Sequence, residues 1–187
     1  MSTQIGQRIR RMREAQGLTV HEVSTLVGVA SERLTQIEEG RGLPSVGQII
    51  KLSRVLGSKV DGLLHGGVRM SRPLTVCRAG QLAPGEEEGE TDQGYAYRTL
   101  GRPSPPGQGM EPLHLSFAPG QPDAPAIAHE GQEFVYVLEG QVELLHDGER
   151  WILGPGDSAY LDASRPHLFR ALGDQPSRAV GVVWSSS

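Results

Sequence analysis

Ser31, Glu32, Arg33 and Gln36 stand close together in a stretch of helical period, in which Leu34 and Ile37 take the inward positions. Their outward side chains carry hydrogen-bonding groups suited to base edges. Gln pairs with adenine, Arg with guanine, and Glu accepts from the amino group of cytosine. Arg41 follows just past this stretch. The remaining candidates for chemistry are six histidines, one cysteine and scattered carboxylates. His21 and His65 fall in helical sequence and take no role, His146 adjoins a turn, and His114 sits on a strand-like run. Cys77 has no partner for an intrachain disulfide, which points to a reducing, cytoplasmic setting.

The elements that must position these groups divide at about residue 66. Residues 1–70 carry ten Lys+Arg against six Asp+Glu, whereas residues 71–187 carry eight against sixteen. The overall charge of −4 therefore hides a basic half suited to a polyanion and an acidic half with some other partner. Pro44 is the only proline before residue 66, and twelve follow it. Residues 1–65 are expected to form one domain, 66–73 (GGVRMSRP) a linker, and 74–187 a second domain. No apolar run is long enough to span a bilayer, and the N-terminus has no apolar signal segment, so no membrane partner is expected.

The first part reads as five helices. Ile5, Ile9 and Met12 define the buried face of the first, which Gly17 ends. Thr19 and Glu22 have capping-box spacing at the start of the second, whose stripe is Val23, Leu26 and Val27. A third covers about 30–39, a fourth opens at Pro44 and Ser45, and a fifth covers about 60–64. The second part reads as short strands at 74–78, 95–100, 113–117, 134–138, 142–146, 151–153, 158–161, 167–171 and 179–184, with Asp147-Gly148 as a hairpin turn. Such a series predicts an all-β sandwich or barrel. Residues 84–94 and 101–109 are polar or proline-rich and are expected to be mobile.

The stretches 9–19 (IRRMREAQGLT) and 28–45 (GVASERLTQIEEGRGLPS) resemble the lambda-repressor-like, or XRE, helix-turn-helix family. The second contains that family's G-V-x-x-x-x-L-x-x-I-E-x-G frame. The resemblance implies that the helix near 30–39 enters the major groove of a double-stranded operator, with Ser31, Glu32, Arg33 and Gln36 as base readers. Arg41 and arginines of the first helix would contact phosphate. Because such motifs read paired half-sites, a homodimer is implied, with the second domain as the expected contact.

Residues 70–187 resemble the cupin family, a double-stranded β-helix barrel. The stretch 129–140 (HEGQEFVYVLEG) follows the family's first motif from its second histidine onward, and Ile127 stands where the first histidine falls. Gly156 and His167 match the second motif, while Asp162, Ser164 and Ala171 depart from it. The resemblance implies that His129, Glu133 and His167 point into the barrel. Two histidines and a carboxylate form a facial triad suited to one divalent metal ion, and Fe, Zn, Ni and Mn are all chemically compatible. In the other reading these groups bond an organic ligand directly. Alternation from Glu133 and His167 adds Val135, Val137 and Phe169 to the interior, and Tyr95, Tyr97 and Arg98 are expected to border the pocket, where an arginine suits a carboxylate.

The expected architecture is thus an all-α five-helix domain followed by an all-β barrel. The expected protein is a transcription regulator whose barrel senses a small-molecule effector, a metal, or both. Two further readings follow from the same resemblances. Mononuclear iron epoxidases of phosphonate pathways share this domain order, and a barrel can also serve oligomerisation alone.

Overall fold

The structure, a computed structural model, describes residues 4–66, 76–78, 91, 93–101, 110–121 and 124–184. The expectations for 67–73, 84–90 and 102–109 lie outside the described residues. Residues 76–78, placed in a strand from sequence, form none.

The helices are α1 (Gln4–Ala15), α2 (Val20–Val27), α3 (Ser31–Glu38), α4 (Val46–Val55) and α5 (Val60–His65). Ile5 and Ile9, one turn apart, are wholly buried with Val23, Leu34, Ile37, Leu52 and Leu56. Thr19 caps α2 through its reciprocal bonds with Glu22. Gly28 ends that helix at φ +81°, a left-handed conformation that costs glycine little, and so allows the tight turn into α3. Arg13 of α1 reaches across to α3 and grips the Glu38 carboxylate at 2.6 and 2.7 Å, while also donating to the Leu18 carbonyl. Arg8 donates to the carbonyls of Leu63 and Leu64 and so ties α5 onto α1.

Ser45 and Gln48 form a second capping box at the start of α4. Ser45 is fully buried, so Ser45→Ala is expected to cost about 1 kcal/mol in a urea melt of the full chain.

The strands are β1 (Tyr95–Thr99), β2 (Met110–Phe117), β3 (Gln132–Glu139), β4 (Val142–His146), β5 (Glu149–Leu153), β6 (Ser158–Asp162), β7 (His167–Ala171) and β8 (Ser177–Trp184). They make two antiparallel sheets, ordered β1-β2-β8-β3-β6 and β5-β4-β7. The Asp147-Gly148 turn closes the β4–β5 hairpin with both residues at positive φ. Tyr95, Leu113, Leu115, Phe117, Val135, Val137 and Val183 project inward from the large sheet, and Val142, Leu144 and Phe169 from the small one. Gly181 leaves room for Leu115, since a Cβ there would lie 2.9 Å from Leu115 Cδ1.

The helical domain sits on the barrel. Tyr95 accepts a hydrogen bond from the Val46 backbone N–H at 3.1 Å, and Tyr97 donates to the Pro44 carbonyl at 3.2 Å. Leu43 bridges to Thr91, and Arg54 pairs with Glu130 at the exposed margin.

Candidate metal centre and base-reading helix

β3 brings Glu133 to the inner face, the loop before it supplies His129, and the first residue of β7 is His167. All three are buried and their ligand atoms lie within 4.8 Å of one another. His129 Nε2 lies 2.7 Å from one Glu133 oxygen, and His167 Nε2 lies 3.8 Å from the other. Two ligands at about 2.1 Å from one ion are separated by no more than about 4 Å, so both edges suit a shared divalent metal.

The outer nitrogens reinforce this. His129 Nδ1 faces the Glu130 carbonyl at 3.0 Å and His167 Nδ1 faces the Arg165 carbonyl at 2.9 Å. A ring nitrogen against a carbonyl must donate, so in the neutral rings each Nε2 presents its lone pair to the carboxylate. Lone pairs facing an anion repel unless a proton or a cation lies between them. Burial works against the charge on Glu133, but its contacts with His129 and His167 prevail and hold the carboxyl at about 2. Burial lowers His167 in turn, and the facing Glu133 more than reverses this, leaving the imidazole above its ordinary value. Ile127 adjoins the group, paired with His167 through a β-bridge.

A cavity opens beside the triad. Its walls include Tyr95, Phe117, Glu133, Val135, His167 and Phe169, and its roof is Val46 and Gly47 at the start of α4. Val135 and Phe169 thus lie where alternation predicts. Two expectations need correction. Arg98 points outward opposite His114, because Tyr95 and Tyr97 occupy the inward parity of β1. Tyr97 is inward, but its hydroxyl is bonded to Pro44 and it is not among the cavity walls, whereas Tyr95, also expected at the border, lines the cavity. The roof residues Val46 and Gly47 carry no chemical signature in the sequence. A glycine in the first turn of a capped helix was the one available sign of close approach.

On α3, Glu32 is exposed and Gln36 half-buried. Ser31 shares a hydrogen bond with Ser24 at 2.9 Å, and Arg33 donates to the Leu43 carbonyl at 2.8 Å. Arg33 therefore braces the loop after α3. Arg41 is exposed and pairs with Glu39. In α1, Arg8 and Arg13 are committed to α5 and to Glu38, whereas Arg11 is exposed.

Residues 4–65 match a helix-turn-helix domain family and residues 113–183 a cupin domain family. The chain is therefore an XRE-like helix-turn-helix domain followed by a cupin barrel. The HTH-type transcriptional regulator PuuR of Escherichia coli is 25% identical over 88% of this chain and 85% of its own length. An HTH_3 family transcriptional regulator from Vibrio cholerae shares the fold with a TM-score of 0.68 at 20% identity, covering 99% of this chain and 97% of the other. The hydroxypropylphosphonic acid epoxidase from S. wedmorenis has a TM-score of 0.50 at 22% identity over 98% of each chain.

Proposed function

We propose that this chain is a one-component transcription regulator, in which the helix-turn-helix domain reads an operator and the cupin barrel binds a small molecule, with or without a divalent metal. The observation that carries this reading is the polar outer surface of α3, with Glu32 exposed and Gln36 half-buried, on the same chain as a buried His129–Glu133–His167 group. The resemblance to PuuR over nearly the whole of both chains supports it. No described helix is long and apolar enough to cross a membrane, which fits a protein acting on DNA in the cytoplasm.

The functional unit is a homodimer. On the outer face of the large sheet, Met110, Tyr136, Tyr160 and Trp184 all remain at least 40% exposed. Cross-strand registers place them on one surface with Phe134 and Val182. Apolar surface gathered in this way is typical of a contact face, and two joined barrels would present two α3 helices to paired half-sites.

Operator titration with stripped protein, and with protein supplied with Fe(II), Zn(II) or a metabolite panel, tests the reading. At least one occupant is expected to change affinity by about fivefold or more, the ordinary scale of coupling between two sites. Identical curves under every condition would remove the sensor role.

The facial triad favours one second reading, a mononuclear iron oxygenase. Oxygen uptake by the Fe(II)-loaded protein with a small phosphonate would support that reading against the first.

A further inference from the structure

The roof of the sensor cavity belongs to the DNA-binding domain. We propose that the first turn of α4, at Val46 and Gly47, is the movable wall of this cavity. An organic occupant seated beside Glu133 then displaces that wall and carries the whole helical domain with it. The inference rests on the regulator reading above and assigns the route by which occupancy reaches DNA.

Space is the first ground. The cavity measures about 30 Å³, room for roughly two waters, since one water needs about 10–15 Å³ by this measure. Sites for organic ligands run to about 300 Å³ and more. An ion with a bound water fits beneath the closed roof, and a metabolite does not.

The second ground is that one wall is softer than the rest. Phe117, Val135 and Val183 stand on strands held by hydrogen-bonded ladders. The α4 wall is held by the Tyr95 and Tyr97 hydroxyls, the Leu43–Thr91 bridge and the exposed Arg54–Glu130 pair. Exposed pairs of that kind contribute little. Crowding therefore relieves itself by lifting α4 before it opens the barrel.

Contact with the site is direct. A Cβ on Gly47 would lie 2.9 Å from His129 Cδ2 and 3.0 Å from Ile127 Cγ2, so only glycine lets the helix rest on the triad. The far side of α4 joins the helical core through Ile49 and Leu52, where α4 packs on α2, and α2 in turn packs on α3. Arg33 of α3 holds the Leu43 carbonyl in the segment leading into α4. A shift of α4 thus moves α3 as part of one body. By linkage, an occupant that favours the lifted state alters operator affinity, and the operator alters occupant affinity by the same factor.

Gly47→Leu in the full chain supplies a tethered occupant, because it projects a branched side chain against His129. Hydrogen exchange read by mass spectrometry is expected to speed up about tenfold or more in peptides covering 43–50, with α1 and β8 peptides at wild-type rates. Operator affinity is expected to change by about fivefold or more. Tyr95→Phe frees the Val46 N–H without adding bulk and is expected to raise exchange at 43–50 by about threefold. Wild-type exchange at 43–50 in Gly47→Leu overturns the proposal, as does faster exchange with unchanged operator affinity. If Gly47→Leu loosens the entire chain, Tyr95→Phe decides: selective loosening at 43–50 supports the movable wall, and wild-type exchange there overturns it. If the wild-type chain binds no DNA, the regulator reading fails separately, and the exchange data still decide whether the wall moves.

Discussion

Glu38→Ala is expected to destabilise the helical domain by about 3–5 kcal/mol, the usual cost of stranding one member of a buried ion pair. Arg13 and Glu38 are both buried and meet through two parallel bonds, the arginine also holding the Leu18 carbonyl. Removing the carboxylate leaves a guanidinium without its counter-charge between α1 and α3. For a domain of this size the melting temperature should fall by about 15 °C or more, read by far-UV circular dichroism. A fall below about 5 °C would show that water reaches Arg13 far more freely than its burial implies. Replacing both residues, Arg13→Met with Glu38→Leu, is expected to recover most of the loss, because no charge is then left buried.

Glu133→Ala is expected to have an effect of similar size on metal retention. Glu133 is the group that faces both imidazoles, and without it two histidines held by Glu130 and Arg165 remain. Loss of a supporting group outside the ligand shell lowers metal affinity by about 10–100-fold, so loss of a ligand should exceed about a hundredfold. Elemental analysis after metal-replete expression is the measurement. The wild type should retain close to one equivalent and Glu133→Ala almost none. A wild-type value below about one-tenth of an equivalent would leave the triad as a hydrogen-bonding corner for an organic ligand.

Much of this architecture can be read from the sequence, because local rules govern the relevant residues. Thr19 with Glu22 marks the start of α2, and Gly17 and Gly28, both at positive φ, mark two helix ends. The parity of Glu133 correctly places Val135 and Val137 inside, and that of His167 places Phe169. The errors arise where a distant partner decides. The parity of β1 follows from its pairing with β2, which turns Arg98 out. Arg33 is drawn away from the outer surface of α3 by a carbonyl ten residues further on, at Leu43. The approach of Gly47 to His129 joins groups from two domains, and no periodicity within either one records it.

DNA reading by this chain can be measured by selecting genomic fragments on the immobilised full-length protein and sequencing them. An enriched palindromic motif with half-sites about one helical turn apart is expected, lost with Gln36→Ala although that variant keeps the wild-type circular dichroism spectrum. Fragments that stay random through successive rounds, or a motif equally enriched by Gln36→Ala, would contradict it.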